Sequence, residues 1–344
     1  MGETNQGIKK VTLQDIAIQT GYTKNTVSRA LRNKSEISEA TRKLINDTAK
    51  DMGYITNMIA GALRSGVTKT VAIILGDISN PHFGIMAKEV EIAARRHFYN
   101  TFVLNTDEKY EIEEQAVYSA LSKKVDGIIL CPTQRKMEDI KLLKKNGIPF
   151  VLWGRYFEAE PETDYVICND FKGGYLATRH LIERGHRDIL CLTGPGYIYS
   201  ARERLAGYQK ALREQEIGSC PDLIRESPVT TGACRQVIQK VLEEKVKFTA
   251  IFAFSDMIAW EAIYALNRHG IRVPHDVGVI GFDNIQSRMY LPFPLTSVSP
   301  SKKKMSRRAV DILLRKMNHP EPGQYFHEVI DPDIVIREST SRSS

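Results

Sequence analysis

The chain contains no run of about 18 uncharged apolar residues, the length a membrane-spanning helix needs. Its longest apolar runs, Thr70 to Gly76 and Gly127 to Cys131, have the length of strands. The first ten residues are polar and lack the apolar centre of a secretory signal, so a cytoplasmic location is expected. The five cysteines (Cys131, Cys168, Cys191, Cys220, Cys234) are odd in number, widely spaced and free of any CxxC pair. That pattern argues for reduced, buried thiols. The eight histidines are scattered, with neither HExxH nor a Cys/His cluster, so no metal site is expected. There is no GxSxG, and nothing supports nucleophilic catalysis. Gly194-Pro195-Gly196 imitates a dinucleotide fingerprint, but position 199 is tyrosine where the third glycine belongs. No cofactor is therefore expected.

What is present is an ordinary globular composition, 42% hydrophobic and 26% charged over 344 residues. At roughly 100–200 residues per domain, that length suggests two or three domains. The net charge of +7 is unevenly spread. Residues 1–70 hold eleven basic residues against six acidic ones; the other 274 hold 37 against 35. A basic, anion-binding N-terminal module on a nearly neutral body follows, although a solvated basic face would account for the charge alone.

Residues 1–54 read as three short helices. Thr12 and Asp15 form a capping box that opens a helix reaching about Gln19. Gly21 suits a tight turn, and Thr23 caps a second helix to about Leu31. Ser38 caps a third, with Ile37, Leu44, Ile45 and Met52 on one face and Gly53 at its end. Ala17, Gly21 and Val27 stand at offsets 0, 4 and 10, the spacing of a helix-turn-helix whose second helix enters the DNA major groove. Residues 23–32 include no acid. With Val27 and Leu31 facing inward, Lys24, Asn25, Ser28 and Arg29 stay available for base edges. Thr12 and Thr23, at helix N-termini, suit phosphate contacts. A capped helical hairpin without DNA contacts is the plainer alternative.

Residues 55–66 have weak helix capacity, with Gly61 and Gly66 favouring a flexible linker that orders on binding. From Val67 onward, strand and helix patterns alternate. Strand candidates are Val71–Leu75, Phe102–Asn105, Gly127–Cys131, Pro149–Trp153, Val166–Cys168, Ile189–Thr193, Ala250–Phe254, Val277–Phe282 and Thr296–Val298. Such alternation argues for two doubly wound parallel sheets, with ligands beyond the strand C-terminal ends. Lys302-Lys303-Lys304 with Arg307-Arg308 reads as a solvated helix face.

Val11-Thr12-Leu13-Gln14-Asp15-Ile16-Ala17 followed by Thr26-Val27-Ser28-Arg29-Ala30-Leu31 resembles the headpiece signature of the lac/galactose repressor family. Asn80-Pro81-His82-Phe83, Val125-Asp126-Gly127-Ile128-Ile129, Arg202-Glu203-Arg204-Leu205-Ala206-Gly207-Tyr208 and Gly278-Val279-Ile280-Gly281-Phe282-Asp283 extend the resemblance over nearly the whole chain. It implies an all-α helix-turn-helix headpiece (1–54), a hinge helix (55–66), and a two-lobed α/β body (67–344) resembling periplasmic sugar-binding proteins. The first lobe is expected at about 67–166 and 300–322, the second at about 167–299 and 323–340. The implied function is a transcriptional repressor, not an enzyme. A homodimer would bind a pseudo-palindromic operator of about 14–20 bp under control of a small sugar-like effector, without membrane contact. Thr26 joins the DNA-contacting set, and Asn57, Ala60 and Leu63 would enter the minor groove, with Leu63 wedged into a base step. Thr56 stands where many relatives have proline.

By the same resemblance Asp77, Asn80 and Phe83 would line the first lobe, Arg155 and Asp170 the crossover, and Arg204, Ser255 and Asp283 the second lobe. Arg204 suits vicinal hydroxyls as a fork of donors, and Asp170 and Asp283 as acceptors. Phe83, Trp153, Phe254, Phe282 and Tyr290 are candidates to cover an apolar sugar face. Ser255 replaces the usual asparagine and leaves room for a larger ligand. A purine is also compatible with this scaffold. A two-lobed sugar-binding protein or sugar-processing enzyme is the competing reading, since fold alone does not separate these.

Overall fold

The computed structural model describes residues 10–55, 66–288 and 293–341. The expected hinge residues Asn57, Ala60 and Leu63, and Tyr290, lie outside the described residues. Two compact units are present, residues 1–68 and 69–344.

The first unit holds α1 (Leu13–Thr20), α2 (Lys24–Leu31) and α3 (Glu39–Asp51). Local chemistry fixes where each begins. The Thr12 hydroxyl accepts from the Asp15 N–H, and the Asp15 carboxylate accepts from the Thr12 N–H at 2.8 Å. Thr23 and Ser38 accept in the same way from Thr26 and Thr41. Gly21 closes α1 at φ 72°, a left-handed conformation open to glycine at little cost. Ile16, Ala17, Val27, Ala30, Ile45 and Ala49 form the core. Two expectations shift slightly. Ala30, three residues after Val27, is buried while Leu31 is only partly covered. On α3 the inward face is Ile45 and Ala49, one helical turn apart, and Leu44 is half-exposed because it stands about 100° around the axis.

In the second unit, the first sheet has the order β11-β5-β4-β3-β1-β2, built from β1 (Thr70–Leu75), β2 (Asn100–Asn105), β3 (Gly127–Leu130), β4 (Phe150–Trp153), β5 (Tyr165–Cys168) and β11 (His327–Ile330). All its pairings are parallel. The second has the order β12-β10-β9-β8-β6-β7, from β6 (Ile189–Thr193), β7 (Ile224–Glu226), β8 (Ala250–Ala253), β9 (Gly278–Phe282), β10 (Thr296–Ser299) and β12 (Asp333–Val335). It is parallel except for its edge strand β12, which runs antiparallel to β10. Central strands such as β3, β8 and β9 are buried throughout, as sheets covered by helices on both faces require.

The chain crosses between sheets near 169, 300–301 and 331–332, since β5, β10 and β11 end there. Residues 323–330 thus belong to the first lobe, contrary to the sequence expectation, because β11 pairs with β5. Helices α4 (Pro81–Arg95), α5 (Tyr110–Ser122), α6 (Glu138–Lys145) and α11 (Lys302–Asn318) flank the first sheet. The second carries α7 (Asp170–Glu183), α8 (Tyr199–Glu214), α9 (Ala233–Glu243) and α10 (Asp256–Arg268). The basic run opening α11 is not wholly solvated: Lys302 is buried and donates to the Asp283 carbonyl.

Helices α7 and α8 meet through glycines. A Cβ on Gly207 would lie 2.1 Å from the Phe171 carbonyl, and one on Gly174 2.1 Å from the Arg204 carbonyl. Backbone cannot yield there as a flexible side chain does. Gly207→Ala is expected to cost about 1–3 kcal/mol, read as a lower urea midpoint. An unchanged midpoint would show that the helices separate without penalty.

Candidate functional site

Two surfaces gather the side chains singled out from the sequence. On the first unit, α2 is anchored by Val27 and Ala30 and leaves Lys24, Asn25 and Arg29 exposed, with Ser28 half-buried. The Thr23 and Thr26 hydroxyls lie 2.9 Å apart at the start of α2, so Thr26 is partly engaged in capping. Arg29 contacts Glu36 at 3.4 Å, both half-exposed. A pair in that setting is weak and readily exchanged for another anion or a base edge.

The second surface is a cleft between the lobes enclosing about 980 Å³, part of it open to solvent. Seven expected residues line it: Asp77, Asn80, Phe83, Arg155, Arg204, Ser255 and Asp283. Asn80 caps α4 by accepting from the His82 N–H at 3.0 Å, and Pro81 follows at the first helical position. Ser255 likewise caps α10, its hydroxyl accepting from the Ile258 N–H at 3.2 Å. Asp77 accepts from the Ser79 N–H and hydroxyl at 2.8 and 2.7 Å.

Asp170 is not among the residues lining the cleft. It sits buried at the start of α7 and accepts from Arg204 Nε at 2.8 Å. Burial pushes its carboxyl above the ordinary range, and Arg204 draws it partly back. Arg204 Nη1 donates to the Phe254 carbonyl at 2.5 Å, and its guanidinium lies 3.4 Å from the Phe282 ring centre. Phe282 is thus a platform for Arg204, and Trp153 is fully buried in the core; neither lines the cleft, whereas Phe83 and Phe254 do.

Across the cleft, Arg155 donates to both oxygens of Glu108 at 2.7 and 3.0 Å and to the Pro132 carbonyl at 3.2 Å. Burial opposes the charge on Arg155, but Glu108 outweighs it and keeps the guanidinium protonated. Asp283 has φ 106°, a strained value for a residue with a side chain. Its neighbours hold it there: its N–H donates to the Val298 carbonyl at 2.8 Å, and Lys302 donates to its own carbonyl. The His82 ring nitrogen Nδ1 stands 3.1 Å from the Asp283 carboxylate. Burial alone would raise Asp283; His82, Arg204 and Lys302 together hold it below the usual range.

The lobes also clasp each other. Gln134 of the first lobe donates to the Tyr156 carbonyl at 2.6 Å and accepts from the Tyr199 N–H of the second at 3.0 Å. Helix α8 has no cap from its own side chains, so Gln134 supplies one from the opposite lobe. Arg135 lies over the Tyr197 ring at 3.5 Å, and Arg202 donates to Glu158 at 2.6 Å.

The sequence reading did not assign His82, Glu108, Gln134, Ser200 or Glu261. His82 was visible inside Asn80-Pro81-His82-Phe83. Glu108 lies just past the C-terminal end of β2, where ligands of such sheets bind, but its arginine partner is 47 residues away.

Below the cleft, Asp256 accepts from the Ile285 N–H at 2.8 Å and the Ser297 hydroxyl at 2.6 Å. Burial, with the nearby Asp283 carboxylate, pushes its pKa up to about 8. The folded chain therefore keeps a proton that the unfolded chain releases near pH 4. Stability from this group is full below about pH 4 and is lost as pH rises toward and through about 8. Glu113, also at about 8 by burial, acts in the same direction. Asp256→Asn keeps the shape and is expected to shrink the fall in urea midpoint between pH 5 and pH 9. An equal fall in both proteins would place the proton elsewhere.

The profile for bacterial regulatory proteins of the lacI family matches residues 12–57, and that for a periplasmic binding protein-like domain matches residues 178–340. A protein described as HTH-type transcriptional repressor PurR, from Aliivibrio salmonicida (strain LFI1238), is 31% identical over 334 residues, 96% of this chain and 99% of the relative. Among solved structures, a transcriptional regulator CelR-cellobiose complex is 26% identical with a TM-score of 0.73, covering 96% of this chain and 100% of that one. A Lac repressor bound to ONPG in the repressed state is 25% identical with a TM-score of 0.82, at the same coverages. The chain belongs to the lacI family of bacterial regulatory proteins.

Proposed function

We propose that this chain is a sequence-specific DNA-binding transcriptional repressor, acting as a homodimer, whose operator affinity is set by a small sugar-like effector held between the lobes. The observation that carries the reading is the face of α2: Val27 and Ala30 fix the helix, and Lys24, Asn25 and Arg29 project from a segment without acidic residues. Arg29 and Lys24 suit guanine edges and Asn25 suits adenine. Thr12 and Thr23 present helix N-termini to phosphates, with Thr26 and Ser28 beside them. Asn57, Ala60 and Leu63 are assigned to the hinge, with Leu63 as the minor-groove wedge.

The effector reading rests on the cleft. Asp77, Asn80, Phe83 and Arg155 stand on one lobe and Arg204, Ser255 and Asp283 on the other, so one ligand touching both walls sets the lobes' separation. An effector that favours one separation shifts the balance between operator-binding and released forms by its differential affinity. Asp170 acts by positioning Arg204. The relative described as PurR is a repressor, and the structure described with cellobiose holds a sugar. The paired charges of the cleft suit a receptor that holds its ligand, so we read the body as non-enzymatic. No helix among the described residues is long and apolar enough to cross a membrane, and we place the protein in the cytoplasm with its DNA.

Selection from randomised duplexes with the full chain, at two salt concentrations, with and without a metabolite mixture, tests the reading. A palindrome that loses affinity as salt rises is expected. No enrichment under either condition would overturn it. Arg29→Ala is expected to cost about 1–3 kcal/mol and to relax preference at one position per half-site; an unchanged base preference would remove Arg29 from the reading face.

A further inference from the structure

The cleft carries more acid than base, and both arginines within it are already engaged. Arg155 is 8% exposed and gives both prongs to Glu108. Arg204 is 9% exposed and is held by Asp170, the Phe254 carbonyl and the Phe282 face. Asp283 stands against His82. Two further carboxylates line the space with no cationic partner among the described residues. Asp77 is held by Ser79, and Glu261 accepts from the Gly232 and Cys234 N–H groups at 2.5 and 3.0 Å.

We infer that the cleft selects an uncharged, polyhydroxylated ligand against phosphorylated or carboxylated ones, and that Glu108 is the residue that sets this selectivity. This rests on the cleft being the effector site. An entering phosphate or carboxylate meets the like charges of Asp77, Glu108, Glu261 and Asp283. To recruit Arg155 it must displace a two-pronged, charge-assisted partner. A hydroxyl faces neither obstacle, because it donates to a carboxylate and accepts from a guanidinium without breaking a pair. Phe83 and Phe254 add apolar walls.

The placement of Glu108 is built into the backbone. Asp107 and Glu108 both adopt left-handed conformations, at φ 49° and 56°. Gly76 makes room for the carboxylate, since a Cβ there would stand 2.2 Å from Glu108 Oε1. Replacing Glu108 by glutamine keeps the shape and removes the charge. It leaves Arg155 as a largely buried cation without its counterion, a state that strongly favours capture of another anion.

The probe is inorganic phosphate, titrated calorimetrically into the full chain without DNA, at constant ionic strength and against chloride. Phosphate sites elsewhere on the chain are common to all variants. Glu108→Gln and Glu108→Ala, each confirmed folded by thermal melting, are expected to gain one phosphate site per chain over wild type. That gained site should bind about tenfold or more tightly than the wild-type cleft. It is expected to disappear when Arg155→Met is added. Equal phosphate stoichiometry in wild type and both variants, or a gained site that survives Arg155→Met, would overturn the inference. The phosphate result depends only on charge pairing in the cleft. A gained site in a chain that no sugar stabilises would count against the effector reading while leaving the role of Glu108 intact.

Discussion

The contact on which the cleft depends is buried behind it. Asp170 opens α7 and Arg204 lies within α8, and the 2.8 Å pair between them forms because Gly174 and Gly207 let the two helix backbones touch. With a larger residue at either position, Arg204 would be carried away from Asp170 and from the Phe282 ring beneath it. A guanidinium brought out of water pays a large desolvation cost, which only a fixed carboxylate and good geometry repay. The glycines supply that geometry. The arginine facing the cleft is thus positioned largely by Asp170, Phe282 and two glycines that do not line it.

Three acid–base contacts organise the charge in and behind the cleft, while Asp77 and Glu261 stand outside them. Arg155 answers Glu108, Arg204 answers Asp170, and His82 answers Asp283. Two of these three pairs join residues of the same lobe. The His82–Asp283 contact joins opposite lobes, and its aspartate carries the strained φ of 106°. A strained residue persists where its surroundings over-determine it, and here they do so from β10 and α11 together, through Val298 and Lys302. The segment after β9 is thus one of the places where the lobes meet, alongside the Gln134–Tyr199 and Arg202–Glu158 contacts.

Local signals were readable in the sequence, and distant pairings were not. The Thr12–Asp15 capping box, the Thr23 and Ser38 caps and the turn at Gly21 depend on residues within a few positions of one another, and each stands as read. Buried strands such as β1, β6 and β9 show as continuous apolar runs. By contrast, β7, β11 and β12 were not singled out, because three- and four-residue strands with exposed positions at sheet margins leave little pattern. The pairing of β11 with β5 moved a segment to the other lobe, and periodicity carries no record of which sheet a strand joins. Lys302 hid in a run of charges because its acceptor is a backbone carbonyl 19 residues away. In the cleft, seven of eight expected residues line the space; Asp170 stands one layer behind.

The three crossings between the sheets bear on how this body is made. Neither lobe is a continuous stretch of chain. The first lacks its edge strand until residues 327–330 have been synthesised, and the second lacks β12 until residues 333–335. The second is then locked by the last described residues: the Ser339 hydroxyl donates to the Val279 carbonyl at 2.6 Å, and Thr340 meets Thr296 and His180, each at 2.9 Å. On the ribosome, both lobes wait for nearly the same moment. Each sheet is thus completed by a strand distant in sequence, β11 parallel to β5 and β12 antiparallel to β10, and such non-local pairings form slowly. Until then each sheet keeps an unpaired edge, at β5 in the first and at β10 in the second, and an unpaired edge is a template for aberrant pairing with another chain.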